Sequence, residues 1–204
     1  MQLLVDDVQL WDGTGSPVQP KMSVEILHGR IHWVGPVSDW QGNRSTVRVV
    51  DGRARTLIPG LMDCHVHYSS PGGPEWIARF TDPLPEISMR ALKLAETSLR
   101  SGVTTARDVG APQGVSVRLA HAARAGEIRA PNIRAAGTWI AHRGTYVPFA
   151  RHFGEADELR TAIRMEMESG VDLIKVALSG WNEGARPEDA PEIPFGEKLL
   201  SIVV

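Results

Sequence analysis

Apolar and polar positions follow two different rhythms along the chain, and the change comes near residue 57. Up to about residue 56 the apolar residues form short runs separated by turn clusters, which is the signature of strands. Leu3-Leu4-Val5 begins one run, and Trp11-Asp12-Gly13-Thr14-Gly15 is a turn cluster. Val24 to Leu27 leads through His28-Gly29-Arg30 into Ile31 to Val34, and two apolar runs about a glycine turn predict a β-hairpin. A second hairpin is predicted from Val47 to Val50, a turn at Asp51-Gly52, and Thr56-Leu57-Ile58.

From Pro59 onward, strand-like runs alternate with helical periods. Leu84 to Arg100 places Leu84, Ile87, Ala91, Leu92, Ala95 and Leu99 on one stripe, and Gly102 follows where a helix ends. Val103 to Gly110 reads as the next strand, Val115 to Ala125 as a short helix closed by Gly126, and Asn132 to Gly137 as a third strand. Glu155 to Ser169 is helical through Leu159, Ala162, Ile163 and Met167, and Val171 to Leu178 is predicted as a fourth strand. The phrase Ser-Gly-Val links helix to strand twice, at Ser101-Gly102-Val103 and Ser169-Gly170-Val171, as a repeated βα unit would. Such units predict an α/β fold with parallel strands, which right-handed crossovers would curl towards a barrel. Gly196-Glu197 then starts a last helix that ends on Ile202-Val203-Val204. Four barrel strands have passed by that point, whereas closure takes eight strands and about 250 residues. The expectation is an N-terminal part of a longer protein, stopping after the fourth βα unit.

The chemistry concentrates in two places. His65-Val66-His67 follows the apolar lead-in Leu57, Ile58, Leu61 and Met62, with a bend at Pro59-Gly60. On a strand, residues i and i+2 share a face, so both imidazoles can reach one metal ion. The same pattern also suits two half-buried histidines hydrogen-bonded to backbone. Lys175 lies inside an apolar strand, where an ammonium is costly unless it is paired or chemically altered. It could equally reach solvent along its own stem, or form a Schiff base. Asp63, two residues before His65, and Asp108, at the end of the second strand, are candidates to support the site from behind. Cys64 reads as small strand packing. The loop from Trp139 to Tyr146 is the predicted substrate-facing segment, with His142, Arg143 and Tyr146 as candidates to bind a carboxylate or a leaving group. His28, His32, His121 and His152 read as surface or packing histidines.

Pro59-Gly60-Leu61-Met62-Asp63-Cys64-His65-Val66-His67 resembles the P-G-[LIF]-[IVM]-D-x-H-x-H signature of the amidohydrolase superfamily over nine adjacent positions. Gly102 to Gly110 resembles the second barrel strand of the same superfamily. The phrase around Lys175, V-D-x-I-K-V, resembles the place where the prolidase-like amidohydrolases carry a carbamylated lysine, and the chain as a whole resembles the prolidase- and imidazolonepropionase-like branch. Two departures stand out: His28 where Asp is usual, and Arg143-Gly144-Thr145 where relatives often carry Gly-Gly-His. The resemblance implies a small β-sandwich portion over residues 1–56 and the first half of a (β/α)8 barrel over 57–204. It further implies a site of one or two divalent metals, zinc by preference, held by His65, His67 and a CO2-derived carbamate on Lys175. Such an enzyme hydrolyses a C–N bond in an amide, cyclic amide or dipeptide, with water activated by the metal. In the superfamily two further histidines come from the fifth and sixth strands and an acid–base aspartate follows the eighth. The 204 residues alone are therefore expected to be inactive. The alternatives are a non-catalytic half-barrel interaction module and a Schiff-base lysine lyase.

Composition narrows the partners. With 22 basic and 24 acidic side chains the net charge is −2, which favours neither nucleic acid nor an anionic membrane. Hydrophobic residues make up 42%, enough for a real core. The N-terminal residues lack a basic and apolar leader pattern, and no run approaches the ~20 apolar residues of a membrane span. A single cysteine points to a reducing compartment, with the cytoplasm as the default. The expected partner is a small-molecule substrate, with room left for a homo-oligomer.

Overall fold

A computed structural model describes residues 2–143, 147–178 and 196–204. The chain divides into two compact units, Met1–Gly60 and Leu61–Val204.

The first unit is a sheet built on β1 (Gln2–Leu10), β2 (Gln19–Leu27) and β3 (Arg30–Pro36). β1 and β2 are antiparallel, as are β2 and β3, and Leu27 pairs with Arg30 to leave His28-Gly29 as a two-residue loop. Both loop residues have positive φ, 52° and 76°, the backbone hand that matches the twist of a tight hairpin. Histidine is among the residues that tolerate that region. Leu4, Val8, Met22, Val24 and Trp40 supply the buried apolar side chains. The second predicted hairpin does not form. Instead β4 (Arg48–Asp51) and β5 (Thr56–Leu57) both run parallel to β1, against Leu3–Asp6 and Gln9–Leu10 in turn. The cause lies in β1, which bulges where Asp7 takes a φ of 59°. Gly52 donates its N–H to the Asp6 carbonyl at 2.7 Å, and a Cβ at Gly52 would lie 2.2 Å from Val8 Cγ1. The chain therefore steps round the bulge and resumes in the same direction.

In the second unit, β6 (Leu61–Val66), β7 (Val103–Asp108) and β8 (Asn132–Ala135) form a parallel sheet in that order. The crossovers are α1 (Leu84–Arg100) and α2 (Val115–Arg124). Ile87, Ala91 and Ala95 of α1 meet Val115, Leu119 and Ala120 of α2 and Ala106, Ile133 and Ala135 of the sheet in one core. Small residues at those positions let the helices lie close to the strands, and each fully buried branched side chain contributes about 1.5–3 kcal/mol. After β8, Ala136 bridges Leu173 in the parallel sense.

A second parallel sheet has the order β10-β9-β11, from β9 (Ile140–His142), β10 (Arg151–Phe153) and β11 (Val176–Ala177). Two expectations change here. Among the described residues the fourth strand is reduced to a bridge at Leu173 and the short β11, and the segment expected to be a substrate loop begins as β9. Ile140 and Ala141 are fully buried, and the Ile140 N–H is held by the Lys175 carbonyl at 2.9 Å, so this stretch belongs to a sheet. α3 (Ala156–Glu168) starts with a capping box between Glu155 and Glu158. Its Leu159 and Ala162 pack with Ile140 and Phe153, joined by Leu199, Leu200, Ile202 and Val203 of α4 (Glu197–Val203). Among the described residues the parallel strands do not close into a barrel.

Two buried carboxyls tie the strand ends together. Glu166 of α3 is 4% exposed, pairs with Arg151 of β10 at 3.1 Å, and accepts the Thr138 N–H at 3.0 Å between β8 and β9. Asp108, at the end of β7, is fully buried and accepts the N–H groups of Gly110 at 3.0 Å and Tyr68 at 3.4 Å. Burial pushes its carboxyl up to about 6, against the pull of those donors.

Each makes a prediction for the protein carrying this chain. Glu166→Ala strands the Thr138 N–H and the Arg151 guanidinium and should cost about 2 kcal/mol in urea unfolding, with Glu166→Gln losing less. A carboxyl raised from 3.8 to about 6 binds its proton more tightly in the folded state. Its contribution is full below the unfolded value and is lost as pH rises through the folded one. The stability difference between wild type and Asp108→Asn should therefore fall with pH across that window and be flat above it. A flat difference throughout would contradict the burial of an ionising group.

Candidate functional site

The site forms at the ends of β6 and β7 and along β11. His65 lies near the end of β6, and its backbone N–H is held by Asp63 Oδ1 at 3.0 Å. His67 follows the strand, and the two rings stand 5.6 Å apart at 70° to one another. His67 Nδ1 lies 2.9 Å from the Gly110 carbonyl oxygen. A carbonyl only accepts, so Nδ1 carries the proton and Nε2 keeps its lone pair free. Burial pulls the His67 pKa down to about 4, and the charges of His65 and Lys175 add to the effect. The ring is therefore neutral near pH 7, the form that binds metal.

Gly110 is where this geometry is fixed. Its φ is +109°, and a Cβ there would lie 2.5 Å from the Gly137 carbonyl and 2.8 Å from Trp139 Cδ1. Its N–H is the one that Asp108 accepts. One residue, Gly110, thus meets the buried Asp108 carboxyl through its N–H and the His67 ring through its carbonyl, so Asp108 acts at one remove from the site.

Lys175 comes from the stretch between the Leu173 bridge and β11. Its Nζ sits 5.0 Å from the centre of the Trp139 ring. Burial, with the charge of Arg107 added, lowers its pKa from the ordinary lysine value. Among the described residues no ion pair reaches it. His65, His67 and Lys175 line one cavity of about 600 Å³, together with Trp76 and Trp139.

Among the described residues no three His, Cys, Asp or Glu side chains gather to hold a metal. Lys175 is the side chain beside the histidine pair on the same cavity that could become a further donor. An ammonium cannot ligate, whereas a lysine of lowered basicity gives up its proton more readily and can take up CO2 to become an oxygen donor.

The remaining candidates lie elsewhere. His142 Nδ1 is 2.7 Å from the Arg143 carbonyl, and its ring packs edge-on against Phe153 at 5.3 Å. Arg143 pairs with Glu158 at 2.6 Å. Neither lines the cavity. Tyr146 lies outside the described residues. Cys64 is exposed, not packed as expected from its place in β6. Trp76 and Trp139 are the cavity residues that sequence reasoning missed. Trp139 sat within the segment expected to face substrate, but nothing in its spacing singled it out.

The comparisons with known proteins give the family. The family model described as Amidohydrolase family matches residues 56–200. The ochratoxinase of Aspergillus niger is 26% identical over 222 aligned positions, covering 94% of this chain and 45% of that protein. An allantoinase of Arabidopsis thaliana is 46% identical over 55 positions, covering 26% of this chain and 11% of that protein. A prolidase crystal structure with N-methylphosphonate-L-proline superimposes with a TM-score of 0.81 at 22% identity, over all of this chain and 53% of that one. The chain thus spans about half the length of the relatives it matches end to end. With the family match running through both the histidine pair and the lysine strand, the chain belongs to the amidohydrolase family.

Proposed function

We propose that the protein containing this chain is a metal-dependent hydrolase of carbon–nitrogen bonds, acting on a small amide, cyclic amide or dipeptide, with His65, His67 and Lys175 holding one or two divalent ions. The observation that carries the reading is the His67 ring, with Nδ1 tied to the Gly110 carbonyl, on the cavity that His65 and Lys175 also line. Members of the family typically use divalent metals, and zinc suits imidazole donors. The allantoinase and ochratoxinase relatives support hydrolysis as the reaction class.

A divalent metal held here would polarise the substrate carbonyl and lower the pKa of water. The chain's own residues prepare for it. Gly110 fixes the His67 tautomer, Asp63 holds the His65 backbone, and Asp108 accepts the Gly110 N–H. Lys175 Nζ, less basic than usual, attacks CO2 to form a new N–C bond and releases one proton, which leaves a carbamate with two oxygen donors. Trp139 covers the Lys175 amine and limits its hydration.

The test uses the natural full-length protein. His67→Ala and Lys175→Ala should each lower kcat/KM for amide hydrolysis by at least about a hundredfold and lower the bound zinc. Short carboxylates should restore part of the Lys175→Ala loss, because they supply the missing oxygens, and Lys175→Arg should show no such rescue. Borohydride trapping of substrate on Lys175 in metal-stripped protein would overturn the reading in favour of a Schiff-base lyase.

A further inference from the structure

We propose that the cavity beside His67 takes a substrate whose scissile amide carries a flat apolar group, and that Trp76 and Trp139 are the residues that select it. The inference rests on the hydrolase reading above and adds the substrate class.

Both indoles flank the same imidazole. The Trp76 ring stacks at 6.0 Å and 27° from His67, and the Trp139 ring lies at 5.3 Å and 44°. Each is braced from behind. Trp76 meets the edge of Phe80 at 5.8 Å, Trp139 meets Phe149 at 5.0 Å, and Phe80 and Phe149 are themselves 4.4 Å apart. The walls are thus set by an interlocked aromatic cluster, while both tryptophans remain half-buried on the cavity. Val176, Ala177 and Leu178 extend the apolar lining. A group held at His67 therefore lies beside two indoles, where flat apolar groups gain stacking in addition to burial.

Charge points the same way. Among the described residues, Lys175 is the one formally cationic side chain lining the cavity, and its amine lies over Trp139. Arg143, the arginine expected to clasp a carboxylate, is spent on Glu158. Among the described residues no arginine lines the cavity to clasp a carboxylate, so selectivity there rests on the aromatic wall.

Benzohydroxamate and acetohydroxamate share a metal-chelating head and differ in the group beside it, so their affinity ratio reads the wall. Calorimetry on the natural full-length protein, zinc-loaded and zinc-stripped, should show benzohydroxamate binding the loaded form about tenfold or more tightly. Trp76→Ala should shrink that ratio to within about threefold. Trp139→Leu, which keeps an apolar filler against Phe80 and Phe149, should do the same. Equal binding of the two compounds to loaded wild type overturns the inference and leaves the metal reading standing. A benzohydroxamate preference that needs no zinc and is lost in both variants supports the wall and overturns the metal reading. No binding of either compound in either form overturns both.

Discussion

The bond between His67 Nδ1 and the Gly110 carbonyl decides which face of the ring is available for chemistry, and much of the second unit is arranged around it. A histidine at the end of a strand can turn either nitrogen to solvent. Here the carbonyl takes the proton-bearing side at 2.9 Å, and burial keeps the ring neutral. The carbonyl can hold that place because Gly110 adopts a backbone angle and a closeness to Gly137 and Trp139 that a side chain would forbid. Asp108 accepts the N–H of the same glycine.

That arrangement explains the packing around it. Asp108 can be buried because the neighbouring N–H groups of Gly110 and Tyr68 meet it, and the alanine-rich contacts of α1 and α2 let β7 sit deep enough to bury it. Glu166 does comparable work on the far side, joining α3 to the turn before β9 and thereby setting Trp139 beside the cavity. The first unit rests on a different constraint, the bulge in β1 that makes β4 and β5 two parallel lengths on one strand.

Much of this was legible in the sequence. The helices announced themselves through period and terminal glycines: α1 was expected over Leu84 to Arg100 and runs over those residues. The histidine pair and Lys175 were visible because such residues are out of place in apolar strands, and the structure brings them to one cavity. What stayed hidden was non-local. A turn at Asp51-Gly52 looks the same whether the chain reverses or steps past a bulge, since the bulge is at Asp7. β9 and β10 have three residues each, too few to show a period. His142 and Arg143 were chosen for their chemistry, yet a glutamate 15 residues further on, Glu158, claims the arginine. The tryptophans gave no sign because only the fold brings Trp76 and Trp139 to the same imidazole.

The central claim is that Nε2 of His67 and an altered Lys175 hold a metal, and a zinc-edge anomalous map of the natural full-length protein tests it most directly. The account predicts a peak about 2.1 Å from His67 Nε2, with Nδ1 still on the Gly110 carbonyl and carbamate density continuous with Lys175 Nζ. A peak on Nδ1, or a zinc-loaded protein with no peak between His65, His67 and Lys175, would contradict it.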